Sequence, residues 1–413
     1  MLMLRALRNR SFSLLWAGQT VSRVGDFLYQ VALAWWVLEH TGSAAAMSAV
    51  LIVSFAPMLL FLLLGGVMVD RYPRVPVMLV SDVARGAAVL VVGGLALAGR
   101  LELWHVYAAS LLFGLVDAFF QPAVTAYVPE VVPPDDLPSA NSLSSISLQL
   151  GRVIGPGLGG AIIGLVGIAG AFMLNGASFL VSAAFLAPLL FMSKRPSPAA
   201  AEPGAPRASA PRSSVVGDLR EGLATVAGSP VLWISIAVFA LTNVTLAGPY
   251  SVAMPFLVKD NLHKDVDTLG WLYAMFPIGY VLGVLWMGRL RRIRRRGLVM
   301  NLGLALAAVM LGIFGFGLPL AVLMAAAVIN GAALEAGNLA WVNLLQERVP
   351  ADKLGRVSSI DLLGSSVLIP VGFAVGGWAT DQFGAPLVFL MGGGITAFVA
   401  LLALLHPAIR RLD

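Results

Sequence analysis

The 413-residue chain contains no cysteine and only four histidines, and these two facts exclude several kinds of chemistry. Without thiols there are no disulfides, no thiolate zinc sites and no cysteine nucleophile. The histidines are scattered and show no metal-ligand spacing: His40, His105, His263 and His406. The sequence also lacks a Walker-type loop and a recognisable nucleophile–base pair. We therefore predict a protein that is not an enzyme and has no catalytic residues, no metal and no cofactor.

Charged residues are scarce as well. They make up 12% of the chain, whereas hydrophobic residues make up 59%. Soluble proteins contain roughly 25% charged and roughly 45–50% apolar residues. The composition therefore predicts an integral membrane protein with the lipid bilayer as its partner. Its net charge of +6 is typical of basic cytoplasmic loops, so we expect no nucleic-acid partner.

Long apolar runs recur along the chain, and about 20 such residues are needed to cross a membrane as a helix. We predict an all-α integral membrane fold with twelve transmembrane helices. The predicted spans are residues 12–38, 44–69, 76–98, 102–128, 140–165, 168–191, 230–257, 268–289, 297–315, 318–345, 357–381 and 385–406.

Lysine and arginine are distributed unevenly over the loops between these spans. If the N-terminus is cytoplasmic, the loops on the opposite side contain only Arg100, Lys259 and Lys264. Because basic residues concentrate in cytoplasmic loops, this asymmetry predicts cytoplasmic N- and C-termini. We expect a multi-pass protein of the inner (plasma) membrane.

The composition changes in the middle of the chain. Residues 193–214 are rich in Pro, Ala and Ser, which is typical of a disordered linker. The next stretch, VVGDLREGLATVA at 215–227, has the amphipathic pattern of a short surface helix. We therefore predict an N-terminal six-helix half at 1–192, a cytoplasmic linker with a short helix at 193–229, and a C-terminal six-helix half at 230–413.

The two predicted halves resemble each other at a shift of 217 residues. The shift places VPEVVPPDDL (128–137) on LQERVPADKL (345–354), and Gly114 on Gly331. Each half has an even number of spans, so the repeat is parallel, with a pseudo-two-fold axis along the membrane normal. Such a repeat predicts a central cavity between the halves near the membrane midplane.

The loop after the second span, GGVMVDRYPRVPV at 65–77, contains a spaced set of glycine and charged residues. Gly66, Asp70, Arg71 and Arg74 resemble the cytoplasmic loop signature of the major facilitator superfamily. The resemblance implies a cytoplasmic latch in which Asp70, Arg74 and Glu130 form a charge network. The alternative is a simple turn with solvated basic residues.

Residues 150–160, LGRVIGPGLGG, combine five glycines with a proline and an arginine. A dinucleotide-binding loop would need a preceding strand, but the stretch before it is typical of a helix start. The pattern resembles the fifth-helix signature of the antiporter branch of the same superfamily, carried by Gly151, Gly155, Pro156, Gly159 and Gly160. We expect the glycines to pack on Gly279-x-x-x-Gly283 of the eighth span, with Pro156 bending the helix. The alternative is ordinary packing without a role in coupling.

Polar and ionisable residues inside predicted spans are expensive and usually functional. They recur at helical spacing in the first, fourth and fifth spans and again in the seventh and tenth. The superfamily resemblance implies that spans one, four, seven and ten surround the central cavity. The candidate residues for proton or substrate binding there are Arg23, Asp26, Gln30, Asp117, Gln121, Arg152, Asn243, Glu335 and Asn338.

We expect Asp26, Asp117 and Glu335 to bind protons, because a carboxylate in a partly dry cavity responds strongly to desolvation and to nearby charge. Arg23 and Arg152 are the expected counter-charges. The alternative is that these residues form purely structural intramembrane ion pairs.

Three further charged residues lie close to the predicted ends of spans. They are Asp82, Arg85 and Asp361, and we expect them at the membrane interface rather than in the candidate site.

The resemblance is most specific in two segments, residues 14–44 and 114–143. Both are similar to the branch of drug–proton antiporters that contains macrolide-efflux and enterobactin-exporter-like proteins. The resemblance implies a monomeric exporter of amphipathic small molecules that works by alternating access, with protons as the coupled partner and the proton gradient as energy source. The alternatives are a siderophore exporter, a lysophospholipid flippase, or a receptor or scaffold that does not transport.

Overall fold

The computed structural model describes residues 2–192, 215–289 and 294–412, and all of the regular structure in these ranges is helical. The predicted linker at 193–214 lies outside the described residues. The chain forms two compact units. Unit 1 comprises Met1–Ala199 and Val258–Ala274, and unit 2 comprises Ala200–Leu257 and Met275–Asp413.

Unit 1 contains the first six α-helices. Short 3-10 helices at Leu2–Arg8 and Pro134–Asp136 precede α1 and α5. The helices are α1 (Arg10–Thr41), α2 (Ala44–Arg71), α3 (Arg74–Leu97), α4 (Leu103–Val131), α5 (Leu137–Leu186) and α6 (Leu189–Met192). Unit 1 also includes most of the π-helical turn Leu257–Asn261 and the start of α10 (Val266–Met287).

Unit 2 contains the remaining helices and the rest of α10. A π-helical turn lies at Gly248–Ala253 and a 3-10 turn at Ile313–Phe316. The helices are α7 (Val215–Ala227), α8 (Pro230–Ala247), α9 (Met254–Phe256), α11 (Arg296–Gly312), α12 (Leu320–Arg348), α13 (Ala351–Ser366), α14 (Ile369–Phe383), α15 (Ala385–Ala403) and α16 (Pro407–Arg410).

Ten stretches of the described residues are long and apolar enough to cross a membrane, so the chain is a multi-pass membrane protein. The first predicted span, which is part of α1, is not among the ten, because charged and polar residues interrupt its apolar run. The fifth and sixth predicted spans form one 59-residue stretch, Pro134–Met192. The number of twelve spans and the two-half repeat remain predictions.

Helix ends and breaks follow from individual residues. Gly42 adopts the left-handed conformation with φ of 60° and ends α1, because glycine bears no Cβ penalty there. Ser43 then begins α2, accepting a hydrogen bond from the backbone N–H of Ala46 at 3.2 Å. Within α5 the backbone stays helical at Pro156 and leaves helical angles at Gly167, with φ of 74°. The helix break thus lies at Gly167, and the bend at Pro156 stays a prediction.

Two glycines related by the 217-residue shift mark close helix contacts. A Cβ atom at Gly114 of α4 would lie 2.0 Å from the carbonyl oxygen of Ser54 in α2. In unit 2, a Cβ atom at Gly331 of α12 would lie 2.0 Å from the carbonyl oxygen of Phe276 in α10. Small residues allow this approach, and packing of this kind holds helices together where lipid removes the hydrophobic driving force.

In unit 2, α7 occupies the residues of the short helix predicted from the sequence. Glu221 connects it to α13 through Lys353, whose Nζ lies 2.9 Å from Oε1, and through Arg356, which donates to Oε2. The hydrogen bond and charge of Lys353, followed by those of Arg356, lower the pKa of Glu221. The pairs are solvent-exposed, so they orient α7 more than they stabilise the fold.

We predict that Gly114→Ala lowers the stability of the protein by about 1–3 kcal/mol, because the added methyl group overlaps the carbonyl of Ser54. Thermal unfolding of the purified protein in detergent measures the loss. Gly94→Ala in α3 is the matched control, because no atom lies within 4 Å of a Cβ atom there. Equal unfolding temperatures for the two variants would contradict the packing assignment.

We predict that acid loosens α7. Because the folded-state pKa of Glu221 is depressed, its contribution is present above the ordinary Glu pKa of about 4.3 and is lost as pH falls through the lower folded value. The protection of the α7 amides, which is the hydrogen-exchange rate compared with the intrinsic rate at the same pH, is expected to fall on acidification. Glu221→Gln should exchange faster already at neutral pH, and an unchanged rate in this variant would rule out the ion-pair tether.

Candidate functional site

The most buried charges of unit 1 belong to α3. Asp82 is fully buried and Arg85 is 4% exposed. They are three residues apart and share one helix face, and Arg85 Nη2 donates to Asp82 Oδ1 at 2.7 Å. The expectation that both stay out of the site is wrong. The face of α3 that carries them packs on α4 and α5.

Besides Asp82, three further side chains contact Arg85. Its Nη1 donates to Asp117 Oδ1 of α4 at 2.9 Å. The guanidinium carbon lies 4.3 Å from the ring centre of Phe120 and 4.6 Å from that of Phe179. Charge-assisted hydrogen bonds and cation–π contacts both strengthen where water is excluded. The position of this guanidinium is therefore fixed.

Asp82 is fixed by two donors. Its Oδ1 accepts from Arg85, and its Oδ2 accepts from Ser182 Oγ of α5 at 2.6 Å. Ser182 is itself fully buried. Asp82 therefore links α3 to α5 and orients Arg85 towards α4.

Asp26 of α1 faces the same cluster, and the charges of Arg85, Asp117 and Asp82 all act on it. Its Oδ1 is buried and has no hydrogen-bond partner in the described part of the chain. The amide of Asn175 lies beside the carboxyl group but does not meet hydrogen-bond geometry. Asp26 is therefore the least compensated carboxyl group of the cluster.

Gly25 explains how α1 comes so close to α5 at this point. A Cβ atom at Gly25 would lie 2.3 Å from Ser178 Oγ and 2.5 Å from Asn175 Oδ1. The absence of a side chain thus lets α1 pack directly on α5 and brings Asp26 next to Asn175.

The expected counter-charges are only partly in place. Arg23 lies within electrostatic reach of Asp26, but its Nη1 donates to the carbonyl oxygen of Ser144 at 2.9 Å. Arg152 makes no hydrogen bond or ion pair with another described residue. The partner of Asp117 is Arg85, so the assignment of Arg152 as its counter-charge is wrong.

The helical geometry of α5 explains why Arg152 does not pair with the acids of the cluster. Gly151 and Gly155 face α1, and Arg152, one residue after Gly151, is turned away from that face by about 100°. It therefore does not reach the helix that carries Asp26.

The remaining polar candidates of unit 1 lie at its surface. Gln30 and Gln121 are exposed, and neither side chain hydrogen-bonds to the residues described here. Asp117 connects the buried cluster to accessible space, because its side chain is 31% exposed.

Unit 2 brings two of its three candidates together. Glu335 is 2% exposed, and its Oε2 accepts a hydrogen bond from Asn338 Nδ2 at 3.2 Å. Asn243 instead donates to the carbonyl oxygen of Ser365 at 2.7 Å, which ties α8 to α13.

Asp361 of α13, expected at the interface, also has an internal partner in unit 2. The indole Nε1 of Trp341, a residue that is 3% exposed, donates to Asp361 Oδ2 at 3.0 Å. Its Oδ1 is buried without a hydrogen-bond partner among the described residues. Asp361 is therefore held by a contact within unit 2, and its position at the interface stays a prediction.

The latch residues of unit 1 are described in part. The Nε of Arg74 lies 3.3 Å from Glu130 Oε1, an ion pair without hydrogen-bond geometry, and Arg71 is exposed. Gly66 lies within α2, and the side chain of Asp70 lies outside the described part of the chain. The structure thus brings together Arg74 and Glu130, two members of the predicted network.

The glycines of α5 face two different elements of unit 1. Cβ atoms at Gly151 and Gly155 would meet Phe27 at 3.1 and 2.5 Å, and one at Gly159 would meet Leu28 Cα at 3.3 Å. These three glycines therefore pack on α1.

Gly160 and Pro156 face the start of α10. A Cβ atom at Gly160 would lie 2.6 Å from Asp267 Cα, and one at Gly270 would lie 2.3 Å from the carbonyl oxygen of Pro156. The eighth span does pack on α5, but through Gly270. In unit 2, Gly279 and Gly283 face α12 instead. Cβ atoms at these glycines would lie 1.9 Å from the carbonyl oxygen of Val328 and 2.7 Å from that of Ala332.

Sequence reasoning missed the centre of the site, which is the Asp82–Arg85 pair. The signal available was the i, i+3 spacing of opposite charges within an apolar span. Within the described ranges, no three His, Asp or Glu side chains are arranged to hold a metal ion.

Comparisons with known proteins agree with the fold. The family model described as transmembrane secretion effector matches residues 3–337. The chain is 27% identical over 401 residues to the multidrug efflux pump Tap of Mycolicibacterium fortuitum, covering 94% of each chain. It is 30% identical over 322 residues to the enterobactin exporter EntS of Shigella boydii, covering 74% of this chain and 72% of EntS.

A solved structure shows the same fold. The crystal structure of a bacterial homologue of the iron transporter ferroportin superposes with a TM-score of 0.72 at 18% identity, covering 95% of this chain and 98% of the other. The helices and the family match together define a multi-pass membrane transporter and not an enzyme. The chain belongs to the transmembrane secretion effector family of the major facilitator superfamily, as its sequence resemblance implies.

We predict that the two ion pairs of unit 1 differ in strength. Asp82→Asn should cost about 1.5–3 kcal/mol, because Arg85 loses a buried charged acceptor. Glu130→Gln should cost at most about 1 kcal/mol, because its partner Arg74 is partly solvated. Chemical unfolding of both variants measures the difference, and a larger loss for Glu130→Gln would contradict the ranking.

Proposed function

We propose that the protein exports amphipathic small molecules from the cell by proton antiport, through alternating access of two six-helix halves. The proton gradient is the energy source, so no cofactor is needed. The proposal places a monomer in the inner (plasma) membrane with both termini in the cytoplasm, as the distribution of Lys and Arg predicts.

The observation that carries the proposal is that the buried Oδ1 of Asp26 has no hydrogen-bond partner among the described residues. Three carboxyl groups, those of Asp26, Asp82 and Asp117, surround the single guanidinium of Arg85. Arg23 acts on Asp26 from farther along α1 without an ion-pair contact. Uncompensated buried charge is costly. Binding a proton removes one negative charge from this cluster, so the cluster is suited to take up and release a proton during transport.

The position of Asp117 supports a link between proton and substrate. It contacts Arg85 inside the cluster, while 31% of its side chain is accessible. A cationic or polar substrate that binds beside Asp117 alters the charge that acts on Asp26, and this favours loss of the proton. Mutual exclusion of proton and substrate is the simplest basis for antiport.

The relatives support export of small molecules. One is a multidrug efflux pump and another is an enterobactin exporter. A siderophore is therefore the second candidate substrate, supported by the 30% identity to the enterobactin exporter. A panel containing a macrolide, a lipophilic cation and a catecholate siderophore distinguishes the two classes.

We predict that Asp26→Asn abolishes proton-driven uptake of the exported compound into inverted membrane vesicles, to the level of vesicles without the protein. The amide cannot carry the exchangeable proton. Uptake is measured with an imposed pH gradient, with and without a protonophore, at equal protein amounts. Asp135→Asn is the matched control, because Asp135 is an exposed aspartate outside the cluster.

Two results would contradict the proposal. Wild-type uptake that is insensitive to the protonophore would exclude proton antiport. Full activity of Asp26→Asn would exclude Asp26 as the proton carrier even if transport is proton-driven.

A further inference from the structure

The cluster of unit 1 contains three carboxyl groups that differ in the hydrogen bonds they accept. Both oxygens of Asp82 accept short hydrogen bonds, at 2.7 Å from Arg85 and 2.6 Å from Ser182. Asp117 accepts one hydrogen bond from Arg85 at 2.9 Å. Asp26 Oδ1 accepts none from the described residues.

We propose that Arg85, oriented by Asp82, is the positioning residue that selects Asp26 as the carrier of the exchangeable proton. The inference rests on the proposed function, since it concerns which group of the same cluster is protonated. It assigns a role in coupling to α3, a helix that carries none of the site residues predicted from the sequence.

The selection follows from hydrogen bonding. Donors aimed at a carboxylate favour its charged form, and Arg85 gives one such donor to Asp82 and one to Asp117. A guanidinium presents several donors in a planar fork and stays protonated, so it can serve both acids at once. The proton is then left to Asp26, the acid without a donor to Oδ1.

The fixed position of Arg85 makes this selection stable. Phe120 and Phe179 cover the guanidinium, and both rings are buried, at 2% and 0% exposure. Turning Arg85 towards Asp26 would break two charged hydrogen bonds and both ring contacts. The groups that interact with Asp26 from its own helix and from the packed helices are Arg23 and Tyr29 of α1, Asp82 and Arg85 of α3, Asp117 of α4 and the uncharged Asn175 of α5.

A purely structural role for Arg85 predicts something different. Its removal would then lower stability without changing which carboxyl group is protonated. The test must therefore read out protonation itself and must not depend on the identity of the transported compound.

Infrared titration of the purified protein in lipid nanodiscs provides this readout. The carbonyl stretch of a protonated carboxyl group is recorded over a pH series for the wild type and for Asp26→Asn. The difference between the two series isolates the titrating band of Asp26. We expect that band in the wild type and its complete loss in Asp26→Asn.

The decisive sample combines Asp26→Asn with Arg85→Gln. Without the guanidinium, Asp117 and Asp82 lose their shared donor, so we expect a titrating carboxyl band to return. Asp26→Asn with Arg85→Lys is the second variant, which keeps the positive charge if Arg85→Gln does not fold. Because the ammonium lacks the planar fork, it should return a band of smaller amplitude.

The outcomes separate the two claims. A band unchanged by Asp26→Asn alone would overturn the proton role of Asp26 and with it the proposed function. A band that is lost in Asp26→Asn and stays absent in both double variants would overturn the role of Arg85 alone. A returning band in either double variant supports the selection by Arg85.

Discussion

The guanidinium of Arg85 is the contact on which the polar interior of unit 1 depends. It pairs with Asp82 on its own helix and with Asp117 on α4, and Phe179 of α5 covers it. Ser182 extends the contact from Asp82 to α5. A single buried cation thus joins three helices in a medium where an unpaired charge is costly. Asp26 of α1 completes the cluster as the acid that this cation does not contact.

The sequence was sufficient where the physical signal is local or strong. Asp26 and Asp117 are acids within apolar runs, and lipid makes such residues costly, so they were predicted as site residues and the structure brings them into one cluster. The short helix at 215–227 lies at the residues that its amphipathic pattern indicated. Gly114 and Gly331, matched by the 217-residue shift, each make a close helix contact in their own unit.

The sequence was insufficient where the rotation of a helix against its neighbours decides. Asp82 and Arg85 lie near the start of a span, and position along the chain does not show whether such residues meet headgroups or other helices. The packing of α3 on α4 and α5 decides it. The prediction of Arg152 as a counter-charge failed for the same reason, because the neighbouring Gly151 faces α1 and Arg152 is turned away from it. Gly279 and Gly283 have a typical packing motif, but a motif does not name its partner helix.

The central claim is that Asp26 carries the proton that drives transport. The most direct test uses proteoliposomes that contain a pH-sensitive dye and a gradient of a compound that the wild type exports. The account predicts that, in the wild type, movement of the compound down its gradient drives protons across the membrane in the opposite direction. In Asp26→Asn the compound should still cross the membrane, but without proton movement. Proton movement by Asp26→Asn at the wild-type rate would contradict the account.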